Sequence, residues 1–197
     1  MPENPSKVES SRRSYRWYTR KMNPLKAFQQ NPSSFQLWAD IQIRGDFILW
    51  TYQMEDPQAL FSGPSESHQW KGADIQTQDE LWKETCFESF LNPEGQSLYY
   101  EFNFSWKPAW QCYVFDEYRK PQPPQKTKDF ILQSMDWDVS QKKMQVKVLN
   151  QSPYRKFRVG LTAILKQNKD VTHYMALAHK GTQPDFHLAE SFTLVKG

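Results

Sequence analysis

Long apolar runs are missing from this sequence. No stretch of about 18 apolar residues occurs, so no membrane-spanning helix is expected. The N-terminal "MPENPSKVESSRRSYRWYTRK" carries charges without an apolar core, which argues against a secretory leader and makes the cytoplasm the expected location. Charge of one sign is missing as well. The chain has 25 Lys and Arg against 22 Asp and Glu, a formal net charge of +3, and nothing in that balance calls for nucleic acid or an anionic membrane as partner. Cysteine is scarce. Cys86 and Cys112 are the two present, and a chain of 197 residues can bury a core without a disulfide, so both are expected as free thiols buried in a sheet. Internal repeats and long amphipathic helices are also lacking.

What the chain does have is aromatic residues: 15% are Phe, Trp or Tyr, including eight Trp, enough both for a core and for flat stacking platforms. Basic residues Lys7, Arg12, Arg13, Arg16, Arg20, Lys21 and Lys26 cluster near the start, and residues 1–14 read as a solvated basic tail. From residue 15 to 197 the pattern is that of one domain built of short alternating runs bounded by turn residues. "SFQLWADIQI" and "DFILWTYQM" form a first hairpin around Arg44 and Gly45. Residues 55–78 show neither helical nor strand period and read as a long loop. Strands over about 84–91 and 97–105 flank the turn "NPEG", and "WQCYVFDEY" follows. "KPQPPQKTK" is too rich in proline for a strand and reads as a surface connection. A second hairpin, "DFILQSMDW" with "KKMQVKVLN", then precedes "FRVGLTAIL", "THYMALAH" and "ESFTLV". The expected fold is therefore all-β, an antiparallel β-sandwich or jelly roll of about ten strands, and the expected state a monomer.

The stretch "DELWKETCFESFLNPEGQSLYYEFNFSW" carries the candidate chemistry. Alternation puts Trp82, Glu84, Cys86 and Glu88 on one face and Thr85, Phe87, Ser89 and Leu91 on the other. On the partner strand Tyr100, Phe102 and Phe104 form a core face, while Tyr99, Glu101, Asn103 and Ser105 share the opposite one. Glu88, Glu101 and Asn103 thus meet on a polar face flanked by Trp82 and Trp106. That face lacks the Lys and Arg that normally pair with acids. Planar acceptors beside indoles suit sugar recognition, since hydroxyls need hydrogen-bond partners and the C–H face of a pyranose packs on a ring. Arg119, closing "FDEYR", is a candidate hydroxyl donor. A solvated sheet face is the plain alternative.

Three segments in this order, "ELWKETCFESFLNPEG", "YYEFNFSWKPAWQCYVFDEYR" and "HYMALAHKGTQPDFHLAESF", resemble DOMON-like proteins related to family 9 carbohydrate-binding modules, over roughly residues 35–196. The resemblance implies packed antiparallel sheets whose cleft clamps a terminal sugar between two aromatic rings, with Trp82 and Glu88 in the positions of the family's cleft Trp and Glu. It also implies the possibility of a structural calcium. The family's second ring lies near the C-terminus. No Trp follows Trp137 here, so Tyr174 and Phe186 are the candidates, with His187 a poorer one. His179, Asp185 and His187 match no stereotyped zinc spacing, and Pro184 with Asp185 reads as a turn in a loop that walls the cleft.

A non-catalytic carbohydrate-binding module is the expected function. Three other readings remain open at this point. Haem or another redox ligand could use Met54, Met175 and the four His; a glycosidase could use Glu88 and Glu101; and a protein-interaction domain could use the basic arm and the loop around Trp70.

Overall fold

A computed structural model of the chain describes residues 22–29 and 34–197. The tail expected over residues 1–14, and the start of the domain at residue 15, lie outside the described residues. Fourteen strands follow in order: β1 (Asn23–Ala27), β2 (Gln36–Arg44), β3 (Phe47–Glu55), β4 (His68–Lys71), β5 (Gln76–Thr77), β6 (Cys86–Pro93), β7 (Tyr99–Phe104), β8 (Ala109–Phe115), β9 (Gln125–Lys126), β10 (Phe130–Asp138), β11 (Lys143–Asn150), β12 (Phe157–Lys166), β13 (Thr172–Ala176) and β14 (Leu194–Lys196). Helix is confined, among the described residues, to three 3₁₀ turns, and none is long or apolar enough to cross a membrane.

The chain is all-β, with fourteen strands where about ten were expected. The surplus consists of pieces too short to show a period, such as β4 and β5 inside the expected loop 55–78 and β9 inside the proline-rich connection. All the long strands pair antiparallel in one curled path, β4-β10-β11-β3-β2-β1-β13-β12-β6-β7-β8-β5, with β14 added to β12 and β9 to β8. β1 closes the curl. Its first residues pair with β2 (Asn23↔Ala39) and its last with β13 (Lys26↔Ala176).

The two halves of the path face each other across the main core. Trp50 of β3 lies 4.9 Å from the Phe102 ring and 5.3 Å from that of Phe104 on β7, and Tyr52 lies 5.1 Å from Phe87 on β6. The Tyr52 hydroxyl also crosses the core to donate to the Glu88 carbonyl at 2.6 Å, so the burial of this phenol is matched by a hydrogen bond.

The two halves differ in one respect that positions the site. β3 alternates in burial, with Ile48, Trp50, Tyr52 and Met54 inward and Phe47, Leu49, Thr51 and Gln53 outward, as an antiparallel strand with one solvated face should. β6 and β7 do not alternate, and almost every residue in them is buried. Phe87, Leu91, Tyr100, Phe102 and Phe104 belong to the main core. Phe90 and Tyr99, of opposite parity, belong to a second cluster with Tyr113, Phe115, Ile164, Phe186 and Phe192. A second layer therefore covers the outer face of these strands, and the solvated sheet weighed from the sequence is not what is found.

That covering layer packs tightly on Gly160 of β12. A Cβ there would stand 2.9 Å from Phe192 Cδ1, and Phe192 stacks on Phe90 with ring centres 5.7 Å apart. Gly160→Ala is expected to push Phe192 off the sheet and to destabilise the fold by about 1–3 kcal/mol, the usual penalty for overpacking. Thermal unfolding, with hydrogen exchange over residues 186–192, checks this; unchanged melting and protection would refute it.

Candidate functional site

The floor of the site is the outer face of β6 and β7. Register sets Glu88 opposite Asn103 and Phe90 opposite Glu101, so the two carboxylates are diagonal neighbours on one face. Trp82 does not belong to the strand, which begins at Cys86. It rides on a 3₁₀ turn, Leu81–Lys83, whose Leu81 is buried against Cys86 and Ala109. The segment before the turn is tied down by Asp79, whose carboxylate accepts from the Tyr113 hydroxyl at 2.8 Å and from Lys126 Nζ at 2.7 Å. Trp82 is thereby held half-buried, its ring 5.9 Å from that of Tyr113.

Two further segments raise the walls. The connection after β8 contributes Arg119, Gln122, Pro123 and Pro124, and the segment after β13 contributes Pro184, Phe186 and His187, with Tyr174 on β13 itself. Together with Trp82, Glu88, Phe90, Glu101, Phe115 and Ile164 they enclose a cleft of about 380 Å³. One network staples the two segments together. Arg119 Nη2 donates to Asp185 Oδ1 at 3.0 Å, the Tyr118 hydroxyl donates to Asp185 Oδ2 at 2.6 Å, and the His187 backbone N–H donates to Asp185 Oδ1 at 3.0 Å. The Arg119 backbone N–H also donates to the Tyr99 hydroxyl at 3.0 Å, which in turn bonds His187 Nδ1 at 2.8 Å.

The electrostatics of the floor are unusual for a sheet face. Glu88, Glu101 and Asn103 are 3%, 6% and 0% exposed. Asn103 Nδ2 donates to Glu101 Oε1 at 2.8 Å, and the Cys86 thiol donates to Asn103 Oδ1 at 3.4 Å. Thr162 donates to Glu88 Oε2 at 3.4 Å, while the buried Glu88 Oε1 has no hydrogen-bond partner. Burial, reinforced by the neighbouring Glu101, pushes the Glu88 carboxyl well above its ordinary value. Burial likewise lifts Glu101 to about 7, although the Asn103 amide and Arg119 favour its charged form. His187 moves the other way, to about 3, because burial and then Arg119 oppose its protonation. The Tyr99 hydroxyl, which already accepts from Arg119, is free to donate to Nδ1; the proton of the neutral ring then sits on Nε2, 3.7 Å from Glu101 Oε2. Asp185 stays low despite its burial, since its three donors outweigh desolvation.

Of the residues singled out from the sequence, Trp82, Glu88, Glu101, Arg119, Tyr174, Phe186 and His187 line this cleft. Asn103 and Asp185 sit behind the lining and hold Glu101 and Arg119. Trp106 is a correction. β7 ends at Phe104, and the turn that follows, with the Ser105 N–H bonded to the Ala109 carbonyl, breaks the alternation and sends the indole into the inner core, 6.1 Å from Trp137 and 5.9 Å from Phe87. His179 is not in the lining either; its Nε2 meets the Lys26 carbonyl at 2.8 Å and its ring stands edge-on to Phe28 at 5.3 Å. Met54 and Met175 are both in the main core. Among the described residues no group of three or more His, Cys, Asp or Glu is placed to hold a metal ion, and both cysteines are free and buried.

Sequence reasoning missed Phe90, Phe115, Gln122, Pro123, Pro124 and Ile164. The first was legible, because Phe90 has the parity of Glu88. The proline wall was not, because a connection carries no periodicity that says where it folds back.

No protein-family model matches the chain, and no curated protein does. Among solved structures, the crystal structure of a "putative carbohydrate-binding protein" from Bacteroides uniformis is similar, with a TM-score of 0.60 over 88% of this chain and 84% of that one, at 13% identity. At that identity the likeness is one of fold.

The raised Glu101 gives a signed pH dependence. Between its ordinary value of 4.5 and about 7 the folded protein holds a proton that the unfolded chain has released, so stability due to this group falls as pH rises through that window. Relative to Glu101→Gln, the wild type is expected to lose on the order of 2 kcal/mol between pH 4.5 and pH 7, given about 1.4 kcal/mol per pH unit. His187 titrates in the opposite sense in both proteins, and Glu88, raised first by its own burial, acts in the same sense in both, so the two largely cancel in the difference. Urea unfolding of the two proteins across this range measures it, and a flat difference would contradict the burial argument.

Proposed function

We propose that the protein is a non-catalytic carbohydrate-binding module that receives a terminal sugar in the cleft over Glu88 and Glu101. The observation that carries the reading is a pair of buried acceptors on a rigid floor with aromatic walls at monosaccharide scale: Trp82 on one segment, Tyr174 and Phe186 on others. Sites of this kind orient a ligand by a few fixed polar groups and bind it by ring contact. Trp82 stacks the pyranose, Glu88 and Glu101 take its hydroxyls, and Asn103 holds Glu101 in place. Tyr174, 36% exposed, is the best candidate for the second ring, because the other ring of that wall, Phe186, is buried. The similar fold of the "putative carbohydrate-binding protein" supports the reading, as does the resemblance to DOMON-like proteins and family 9 modules. In this reading the curled sheet is a β-sandwich of the jelly-roll kind, supported by the packing of Trp50 and Tyr52 against Phe102 and Phe87.

Catalysis fits less well. Glycoside hydrolysis needs one carboxyl kept protonated and the other kept ionised. Here burial raises both, and neither is held as a ready nucleophile. A haem ligated by methionine fits less well too, since Met54 and Met175 belong to the core and not to the cleft.

Isothermal titration calorimetry against mono- and oligosaccharides is expected to give heat with at least one sugar. Trp82→Ala and Tyr174→Ala are each expected to weaken that binding about tenfold or more, roughly 1.4 kcal/mol, with little change in melting temperature. Absence of heat across the panel would overturn the reading.

A further inference from the structure

The charges around the cleft do not balance. Arg119 is the only Lys or Arg among the lining residues, and its guanidinium is already engaged with Asp185 at 3.0 Å. That pair sums to zero. His187 is neutral and spends Nδ1 on the Tyr99 hydroxyl. Arg119 still favours the charged form of Glu101 from a distance, but among the described residues no Lys or Arg is paired with Glu88 or Glu101, which face one cavity. Glu101 has a neutral amide for a partner, and Glu88 Oε1 has none. Two buried carboxylates without a counter-charge strongly disfavour ionisation unless something supplies one.

We propose that the cleft selects a sugar bearing a free, protonated amino group over the corresponding neutral sugar, the ammonium taking the place of the missing counter-charge to Glu88 and Glu101. This rests on the carbohydrate reading above and narrows it. An ammonium brings three N–H donors and a full charge, matching acceptors on two side chains. The walls favour it as well. Trp82, Phe115 and Tyr174 line the same cleft, and the face of an aromatic ring attracts a desolvated cation. A metal ion fits the donor set less well, since no group of three His, Cys, Asp or Glu converges among the described residues. At about 380 Å³ the cleft lies near the lower end of small-molecule sites and suits one pyranose ring better than an extended chain.

Proton balance follows from the same arrangement. Other titratable groups near the pair are Tyr52 on β3, the Cys86 thiol on β6, Tyr99 on β7, Cys112 and Tyr113 on β8, and His187. Burial raises the phenols and thiols, Tyr99 to about 12, and keeps the imidazole neutral, which leaves the carboxyls as the groups from which an arriving cation draws a proton. An arriving ammonium favours their charged forms and expels a proton to the buffer; a neutral sugar does not.

The test is calorimetry at pH 6.5, where the amines are protonated, in two buffers of different ionisation heat. D-glucosamine, D-galactosamine and D-mannosamine are each compared with the parent hexose and the N-acetyl derivative. At least one amino sugar is expected to bind tenfold or more tighter than its parent and its N-acetyl form, with net proton release. Glu88→Gln, which keeps the shape and removes the charge, is expected to abolish that preference; the wild-type comparison and the proton count stand without it, and Glu101→Gln serves as the second variant. Parent or N-acetyl sugars that bind as tightly as the amines would overturn this inference while leaving the carbohydrate reading intact. If none of the nine sugars binds, this inference falls, and if the wider oligosaccharide panel is silent too, the carbohydrate reading falls with it.

Discussion

The inner faces of β6 and β7 carry Phe87, Leu91, Phe102 and Phe104 into the main core, and their outer faces are covered in turn by Phe186, Phe192 and the segments around them. Burial on both sides constrains these strands, because a shift of register by one residue would carry aromatic side chains to where the carboxylates lie. The rest of the site depends on that constraint. Side chains on such strands have little freedom, so Glu88 and Glu101 are held in place before any ligand arrives.

The same burial accounts for the chemistry. An exposed pair of glutamates on a sheet would be ionised and solvated, but here loss of water favours the protonated forms, and the diagonal placement of one acid beside the other adds to the effect on Glu88. The imidazole that faces them is driven in the opposite direction by the same desolvation. Arg119 would be the natural neutralising group, yet it is spent on Asp185, where it joins the connection after β8 to the segment after β13. The cation therefore serves to hold the walls of the cleft together, and the floor keeps its unbalanced acids.

Much of this was legible in the sequence where period carries the information. The division of the β6–β7 hairpin into a core face and a carboxylate face follows from alternation, as do the first hairpin and the pairing of β10 with β11. Short strands were not legible, because two to four residues cannot show a period; β4, β5 and β9 owe their strand geometry to the longer neighbours they pair with. Trp106 was misplaced for a related reason. Alternation was carried past Phe104 into a turn, where backbone hydrogen bonding and no longer the pleat decides where a side chain points.

The sequence by itself determined which side chains share a strand face, because the pleat repeats every two residues whatever the strand packs against. It thereby determined the all-β class and the meeting of Glu88, Glu101 and Asn103. Only the tertiary structure decided that this face is covered, that Arg119 belongs to Asp185, and that Tyr174 and Phe186 stand in the same cleft as Trp82. These are contacts between segments as much as about 100 residues apart, set by how the curled sheet and its connections fold back on each other, and local periodicity holds no record of them.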